Sequence, residues 1–423
     1  MHIIGAGLSG LAAALTLSAT GRAVTVYEAA PQAGGRCRSY YDRQLGAVID
    51  NGNHLMMSAN KAALAYLEEI GAGDTLIGPT TATFPFFDRE TGAHYTVTPN
   101  DGPLPWWVLS PRRRVPGTVL ADYLQALPVL LARGRRRIAE VTGPAHRLYR
   151  PFWEPLVLAV VNVPPEQAAL APLKAMLLET FAKGGAHCRP LIARDSLAAS
   201  FIDPALATLK ARGVRVQLNT RVRALAVEGR RLTDLRFAHE TLTLSDEDMV
   251  VLATPPAVAA ELVPGLEVPD DGAPIVNAHF RLEGGVPWPA DAPLIGVLGG
   301  QAQWLFHRDG IVSVTVSAAY DLVDKPSEVL LPLLWADVAA TLDLPAEPVP
   351  IGRIVKEKRA TFVQSPENIA RRPAAQTAFA NLVLAGDWTD TGVPATIEGA
   401  VRSGRRAGDL CNTALGGRAH SNG

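Results

Sequence analysis

His2-Ile3-Ile4-Gly5-Ala6-Gly7-Leu8-Ser9-Gly10-Leu11-Ala12-Ala13-Ala14-Leu15-Thr16-Leu17 decides the fold. A short apolar strand runs into three glycines and then into helix formers, the strand, tight turn and helix that cradle a dinucleotide. Gly5 permits the turn. Gly7 lets backbone approach a pyrophosphate at the helix N-terminus, where unpaired N–H groups and the dipole favour negative charge. Gly10 lets helix and strand pack closely. Ala23-Val24-Thr25-Val26-Tyr27 predicts a second strand delivering Glu28. Its carboxylate is suited to accept both ribose hydroxyls of an adenosine and to repel a 2′-phosphate.

Three glycines occur in many turns by chance; the strand, helix and acid around these make the reading specific. Working outward, Gly34-Gly35-Arg36 follows soon after the acid. In two-dinucleotide-fold flavoproteins such a glycine pair lets backbone pass the cofactor while the arginine meets phosphate or fixes the loop, and this likeness moves the expected cofactor from NAD to FAD. Near the other end, Asn381-Leu382-Val383-Leu384-Ala385 predicts a buried strand ending in Gly386-Asp387, followed by a loop and a helix starting near Thr396-Ile397. That order sets Asp387 against the ribitol hydroxyls and aims the helix at the flavin end of the cofactor. The site is expected to draw on both ends of the chain.

At 423 residues the chain is long enough for two domains with sizeable cores. Forty basic and 41 acidic residues leave a net charge of −1, which disfavours nucleic acid as a partner. Cys37, Cys188 and Cys411 show no CxxC spacing, suit a reducing cytoplasm and are expected as small buried hydrophobes; no metal site is expected. The apolar N-terminus lacks a positive flank and is consumed by the nucleotide-binding strand and helix, so no export is expected. No run reaches the roughly 18 uncharged apolar residues of a bilayer span, so membrane contact is expected only at the periphery, on the cytoplasmic face.

The fold class expected is α/β: a two-dinucleotide-binding-domain flavoprotein whose Rossmann-like FAD domain carries an inserted mixed α+β substrate domain. Residues 1–80, 203–260 and 355–416 are assigned to the FAD domain, 81–202 and 261–354 to the substrate domain, and 417–423 to a disordered tail. The assignment rests on strand-like residues from Ala82 to Pro105, helical stretches near Val119–Leu131 and Pro172–Phe181, and a meander of Val214–Val227, Leu232–Phe237 and Thr241–Leu244. The meander returns to a buried strand at Met249–Pro255. Alternating strands such as Gly310–Val316 and a helix near Val329–Leu342 complete the substrate domain.

Over nearly its whole length the chain resembles the amine oxidase and carotenoid desaturase superfamily. Asp50-Asn51-Gly52-Asn53-His54, Trp153-Glu154-Pro155-Leu156 leading to Asn162-Val163-Pro164-Pro165-Glu166, Ala302-Gln303-Trp304-Leu305-Phe306, and Leu384 to Gly392 occur in that order. Together they are similar to the hydroxysqualene dehydroxylases of bacterial hopanoid pathways. The resemblance implies that reduced FAD converts hydroxysqualene to squalene, replacing an allylic hydroxyl by hydrogen, which calls for a proton donor, a greasy channel and exclusion of water. It also implies that the loop Asn51, Gly52, Asn53 and His54 runs beside the flavin. The expected cofactor contacts are these four with Gly5, Gly7, Leu8, Ser9, Gly10, Glu28, Gly34, Gly35, Arg36, Val222, Gly386, Asp387, Thr396 and Ile397. His54, Asn53 and Asp390 are the candidate catalytic residues, His54 because imidazole exchanges protons near neutrality. Glu154 is a further candidate acid, and Glu398 is expected to be structural.

Leu104-Pro105-Trp106-Trp107-Val108-Leu109, followed by Arg112-Arg113-Arg114 and then by Arg133 and Arg135-Arg136-Arg137, suggests contact with anionic lipid, against the plainer reading of core tryptophans and solvated arginines. With one dinucleotide fingerprint, electrons are expected from NAD(P)H docking at the flavin or from an external reductase. The rival readings are an oxidative carotenoid or squalene-type desaturase, an amine oxidase, and a non-catalytic FAD-bearing scaffold. Against the amine oxidase, Asp390, Thr391 and Val393 include no aromatic ring.

Overall fold

A five-stranded parallel sheet carries the N-terminal motif. Its strands lie in the order Arg215–Gln217, Thr25–Tyr27, His2–Ile4, Val250–Leu252, Leu382–Leu384. The computed structural model describes residues 1–289 and 292–421. Thr25–Tyr27, Val250–Leu252 and Leu382–Leu384 are buried at every position, as a parallel sheet covered on both faces requires. Chain order reverses across His2–Ile4, so the crevice at the carboxyl ends of these strands is where a ligand binds in such a sheet. Gly5, Glu28 and the Ala385-Gly386 step all stand at those ends.

Helix Leu8–Ser18 is apolar on all sides and lies buried between the sheet and the C-terminal helix, Ile397–Ser421. The two helices touch through glycines one turn apart. A Cβ at Gly404 would collide with the Ser9 carbonyl oxygen and stand 2.8 Å from the Ala12 Cβ; one at Gly408 would stand 2.7 Å from the Thr16 Cβ. The C-terminal helix runs through most of the stretch expected as a tail, 417–423, whose last two residues lie outside the described residues.

The stretch 214–227, expected as one strand, forms two in different sheets. Arg215–Gln217 joins the parallel sheet, while Ala224–Glu228 starts the antiparallel meander with Arg231–Arg236 and Thr241–Thr243. Asn219 breaks the run: it sits in the left-handed region at φ 54°, which asparagine tolerates, and its N–H bonds the Ala30 carbonyl at 3.0 Å. Val222 lies buried in the link between the two strands.

A second, seven-stranded sheet has the order Gly352–Phe362, Asp271–Arg281, Ile311–Ser317, Trp304–Arg308, Leu294–Leu298, Phe84–Asp88, Ala93–Val97. Helix Ser327–Leu342 covers one face through Leu330, Leu334, Trp335 and Val338 against Val276, Phe280, Val312 and Val314. Gly352–Phe362 belongs to this sheet and spans the expected boundary at 354/355. A helical layer follows, in which the expected 119–131 helix is split into Leu120–Tyr123 and Ala126–Leu131. Pro128 has no N–H to bond back to Leu124, so the two turns do not fuse. Trp107 packs edge-on against Tyr123 in the core of this layer, the plainer of the two readings of the tryptophan pair; Trp106 next to it is exposed. Cys37, Cys188 and Cys411 are buried and unpaired. Among the described residues no helix is long and apolar enough to cross a membrane.

Because a backbone oxygen blocks the space at Gly404, we expect Gly404→Ala to overpack the helix pair by about 1–3 kcal/mol. A thermal melt of the holoprotein should fall by a few degrees. Gly416→Ala, where a Cβ meets nothing within 4 Å, should leave the melt unchanged.

Candidate functional site

The glycine turn holds its shape through the strands beneath it. Gly5 has φ +108°, and a Cβ there would stand 2.5 Å from the Ala253 carbonyl oxygen. Gly7 is different. It caps helix Leu8–Ser18 without a side-chain hydrogen bond, in ordinary extended geometry, and a Cβ there would meet no atom within 4 Å. No neighbour in the chain demands glycine at this position, and the helix end beside it is left uncapped, the arrangement that suits close approach of an anionic ligand. Leu8, Ser9 and Gly10, in the first turn, are buried around it.

Glu28 is held by two backbone donors, the Ala6 N–H to Oε2 and the Ala30 N–H to Oε1, each at 2.8 Å. Each oxygen keeps a further lone pair for a diol. Gly34 and Gly35, at φ +107° and +56°, bring the next loop alongside, the Gly34 N–H bonding the Ala6 carbonyl at 2.8 Å. Arg36 then crosses to the C-terminal half. Its Nη2 pairs with Asp387 Oδ1 at 2.7 Å and its Nη1 donates to the Ala360 carbonyl at 2.6 Å.

Around Asp387 the loop is shaped by a residue that sequence reading missed. Arg372 donates from Nε to the Thr389 carbonyl, from Nη1 to the Val393 carbonyl, and from Nη2 to the Asp387 carbonyl and Thr391 Oγ1, at 2.7–3.0 Å. Burial lowers its pKa, and Asp387 and Asp390 act against that. Gly386, at φ +153°, leaves room for the Trp388 indole, and its N–H bonds Ser403 Oγ at 2.9 Å on the C-terminal helix. Thr396 Oγ1 accepts from the Gly399 N–H at 3.2 Å at the start of that helix, next to buried Ile397. Glu398 accepts from the Ala62 and Ala63 N–H groups and from Arg402, so it ties helices together, as expected.

The loop after Asp50 connects this cradle to the seven-stranded sheet. Buried Asp50 accepts from Ser39 Oγ, the Leu197 N–H and Arg308 Nη1, the last at 2.9 Å. Asn51 donates to Glu357 at 3.2 Å. Asn53 Nδ2 donates to Thr315 Oγ1 at 3.0 Å and Asn277 Oδ1 at 3.4 Å, while Thr315 donates to Asn277 at 2.9 Å. His279, two residues along, bonds Ser313 at 2.8 Å, and burial pushes its pKa down to about 4. Asn277, His279, Ser313 and Thr315 were all missed; the signal was a polar residue at alternate positions of two otherwise apolar strands.

Half-buried His54 makes no side-chain hydrogen bond among the described residues. Burial lowers its pKa below 6.5; Asp50 opposes this, Arg36 adds to it and Asp387 opposes it. The imidazole is therefore mainly neutral at pH 7. It lines a pocket with the polar residues Asp50, Asn53, His307, Arg308 and Ser313 and the apolar Ile192, Ala193, Leu197 and Phe306. A larger surface crevice, among the ion pairs of Arg137 with Glu367 and Arg371 with Asp270, contains none of these groups. Asp390 is exposed and lines neither; its N–H bonds the Pro373 carbonyl. Glu154 lies in the helical layer, its pKa raised by burial and by Glu166.

Similarity to known proteins follows the same outline. The hydroxysqualene dehydroxylase of Rhodopseudomonas palustris is 46% identical over 411 residues, 97% of each chain. That of Zymomonas mobilis is 43% identical over 409 residues, 97% of this chain and 98% of its own. A probable zeta-carotene desaturase of Synechococcus elongatus is 25% identical over 471 residues, 96% of this chain and 97% of its own. In fold the chain is similar to an oxidoreductase from Methanosarcina mazei, at TM-score 0.72 and 14% identity over 96% of this chain and 99% of that one. The family described as flavin containing amine oxidoreductase matches residues 8–412, which takes in the helix of the glycine turn, the buried loop and the Gly386-Asp387 end alike, and the chain belongs to it.

Proposed function

We propose that the chain is an FAD-dependent hydroxysqualene dehydroxylase, converting hydroxysqualene to squalene. The observation that carries the reading is 43–46% identity to proteins of that name across 97% of the chain. The cradle fits FAD: an uncapped helix end beside an unobstructed Gly7 for the pyrophosphate, Glu28 for the adenosine ribose, and Arg36, Asp387 and the Ile397 end for the flavin half. In the reaction the allylic C–O bond breaks, a C–H bond forms and the oxygen leaves as water with a proton from the site, while bound reduced FAD supplies the hydride.

The chain's own residues take the remaining tasks. Asn53, its amide N–H group held by Thr315 and Asn277, offers its carbonyl oxygen to the substrate hydroxyl. His54, which lines the pocket, supplies the proton to the departing oxygen in preference to exposed Asp390, which lies outside that lining. Ile192, Leu197 and Phe306 give the apolar part of the lining beside the reacting hydroxyl and keep water from it. Electrons enter from outside the chain, through NAD(P)H docking at the flavin or through a reductase.

Gly7→Val should separate cofactor binding from folding. A Cβ there meets no atom within 4 Å and the backbone is extended, which valine adopts, so the circular dichroism spectrum should be unchanged while FAD binding, followed by flavin fluorescence, is lost. Retention of wild-type affinity would contradict the cradle.

His54→Ala should keep FAD and lose about 10²-fold or more in kcat, the usual contribution of a positioned proton donor. Since burial holds the imidazole below 6.5, its protonated fraction grows as pH falls, so wild-type kcat/KM should rise toward low pH and level off beneath that pKa. The variant should lack this rise, and Asp390→Asn should retain it. An unchanged His54→Ala profile removes His54 from the reaction.

Anaerobic, photoreduced enzyme mixed with hydroxysqualene should reoxidise its flavin and form squalene. Aerobic desaturation of squalene or phytoene, with no reoxidation by hydroxysqualene, would instead favour the desaturase reading. Adding NADPH alone to oxidised enzyme identifies the electron source: bleaching of the flavin means direct docking, and its absence means a separate reductase.

A further inference from the structure

Among the large hydrophobic side chains that stand exposed on the described surface, eight of 18 fall between Leu104 and Leu131, about a fifteenth of the chain. Leu104 is 78% exposed, Leu131 73%, Leu109 62%, and Trp106, Leu124 and Leu127 more than half. They sit on the turn Trp106–Leu109 and on and beside the helices Leu120–Tyr123 and Ala126–Leu131, in which Val129 is the one buried residue. A soluble surface scatters such residues singly; a concentration like this marks a surface that meets an apolar phase.

The charge around them has one sign. Between 104 and 137 lie seven arginines and one acid, Asp122, in a chain whose net charge is −1. Asp122 is engaged by the Val119 N–H at 2.7 Å. Arg113 lies over the Trp106 ring at 4.6 Å, and Arg136 and Arg137 pair with Glu140 and Glu367. Exposed Arg112, Arg133 and Arg135 have no carboxylate partner among the described residues. Exposed leucines and one tryptophan, interspersed along the chain with arginines of which three have no carboxylate partner among the described residues, match the acyl boundary and the phosphate layer of an anionic bilayer.

Beneath the patch, Trp107, Val108, Tyr123, Val129 and Leu130 belong to an apolar cluster that also takes in Phe86 and Trp304. Trp304 packs in turn on the cluster of Ile192, Leu294 and Phe306, two of which line the His54 pocket. Apolar packing is thus continuous from the patch to the pocket.

We infer that this face docks the protein on anionic lipid, half-inserting Leu104, Trp106, Leu109, Leu124, Leu127 and Leu131 so that a bilayer-dissolved substrate reaches the pocket without crossing water. The surface itself rests on exposure and charge; only its role in substrate delivery rests on the function proposed above. The holoenzyme should co-sediment with phosphatidylcholine vesicles containing phosphatidylglycerol, and binding should fall at least tenfold in 0.5 M NaCl, where charge is screened, by the order expected from the Debye length. Leu124→Asp/Leu127→Asp/Leu131→Asp should lose at least tenfold in binding, as should Arg112→Glu/Arg133→Glu/Arg135→Glu, both with FAD retained and unchanged elution volume. Wild-type protein that stays in the supernatant overturns the inference, and so does a leucine variant that binds like wild type or a dimer that dissociates in it. Turnover of detergent-solubilised hydroxysqualene reads the proposed activity separately. The variants should retain it and lose turnover only with vesicle-borne substrate; if wild type binds vesicles yet turns over neither, the activity fails and the docking surface stands.

Discussion

Arg36 and Asp387, 351 residues apart in sequence, meet at 2.7 Å, and the site depends on that meeting. The glycine turn belongs to the first forty residues and the Gly386-Asp387 loop to the last forty, so the candidate site forms only where the chain's two ends are locked side by side. The Asp387 side chain is 7% exposed, whereas Arg36 is 40% exposed. Such a half-buried pair adds little net stability by itself, but removing the guanidinium would leave a carboxylate buried without its ion-pair partner, a larger cost. Specificity of geometry is the better account of the pair. Its second donor fixes the Ala360 carbonyl, so one side chain links the glycine loop, the seven-stranded sheet and the Gly386-Asp387 loop.

That sheet has to serve two environments. Val276, Ala278 and Phe280 alternate with Asn277 and His279, and Val312 and Val314 with Ser313 and Thr315. Asn277 pairs with Thr315 and His279 with Ser313 in register, so one face is aliphatic and packs on helix Ser327–Leu342 while polar groups bond one another on the other. Both faces are buried. A polar face can stay buried because its groups bond across the strands, and Asn53 joins the same network. The loop bearing Asn53 and His54 is thereby seated on the seven-stranded sheet while Asp50, at its base, is tied to Arg308 and to the Leu197 N–H.

The cofactor fold was legible because its signals are local: strand, glycine spacing, helix and acid fall within thirty residues, and the Gly386-Asp387 end follows its strand directly. Arg372 was not legible, since its four acceptors lie 15 to 21 residues downstream and are mostly backbone carbonyls, which carry no side-chain signature. The 214–227 run misled because hydrophobic alternation continues across Asn219, where one left-handed residue sends the chain from one sheet to another. An Asn-Thr pair inside a predicted strand was the available cue. Trp106 and Trp107 show the limit of adjacency: neighbours on one short turn point to opposite sides, and only packing against Tyr123 distinguishes core from surface.

The electrostatics of the pocket bear on which substrate it accepts. Asp50 is the carboxylate in its lining, and it is matched by Arg308 and capped by a backbone N–H, so it presents no unbalanced negative charge to a ligand. Burial lowers the pKa of both imidazoles in the lining, His54 and His307, and Ile192, Ala193, Leu197 and Phe306 supply its apolar part. An ammonium group entering here would lose hydration without gaining a free anion, whereas a hydroxyl on a hydrocarbon needs only an acceptor and a donor. Asn53 and His54 are the proposed pair. The family fold alone leaves amine and alcohol chemistry open; the near-neutral charge balance of this pocket favours an uncharged, largely apolar substrate with a single oxygen.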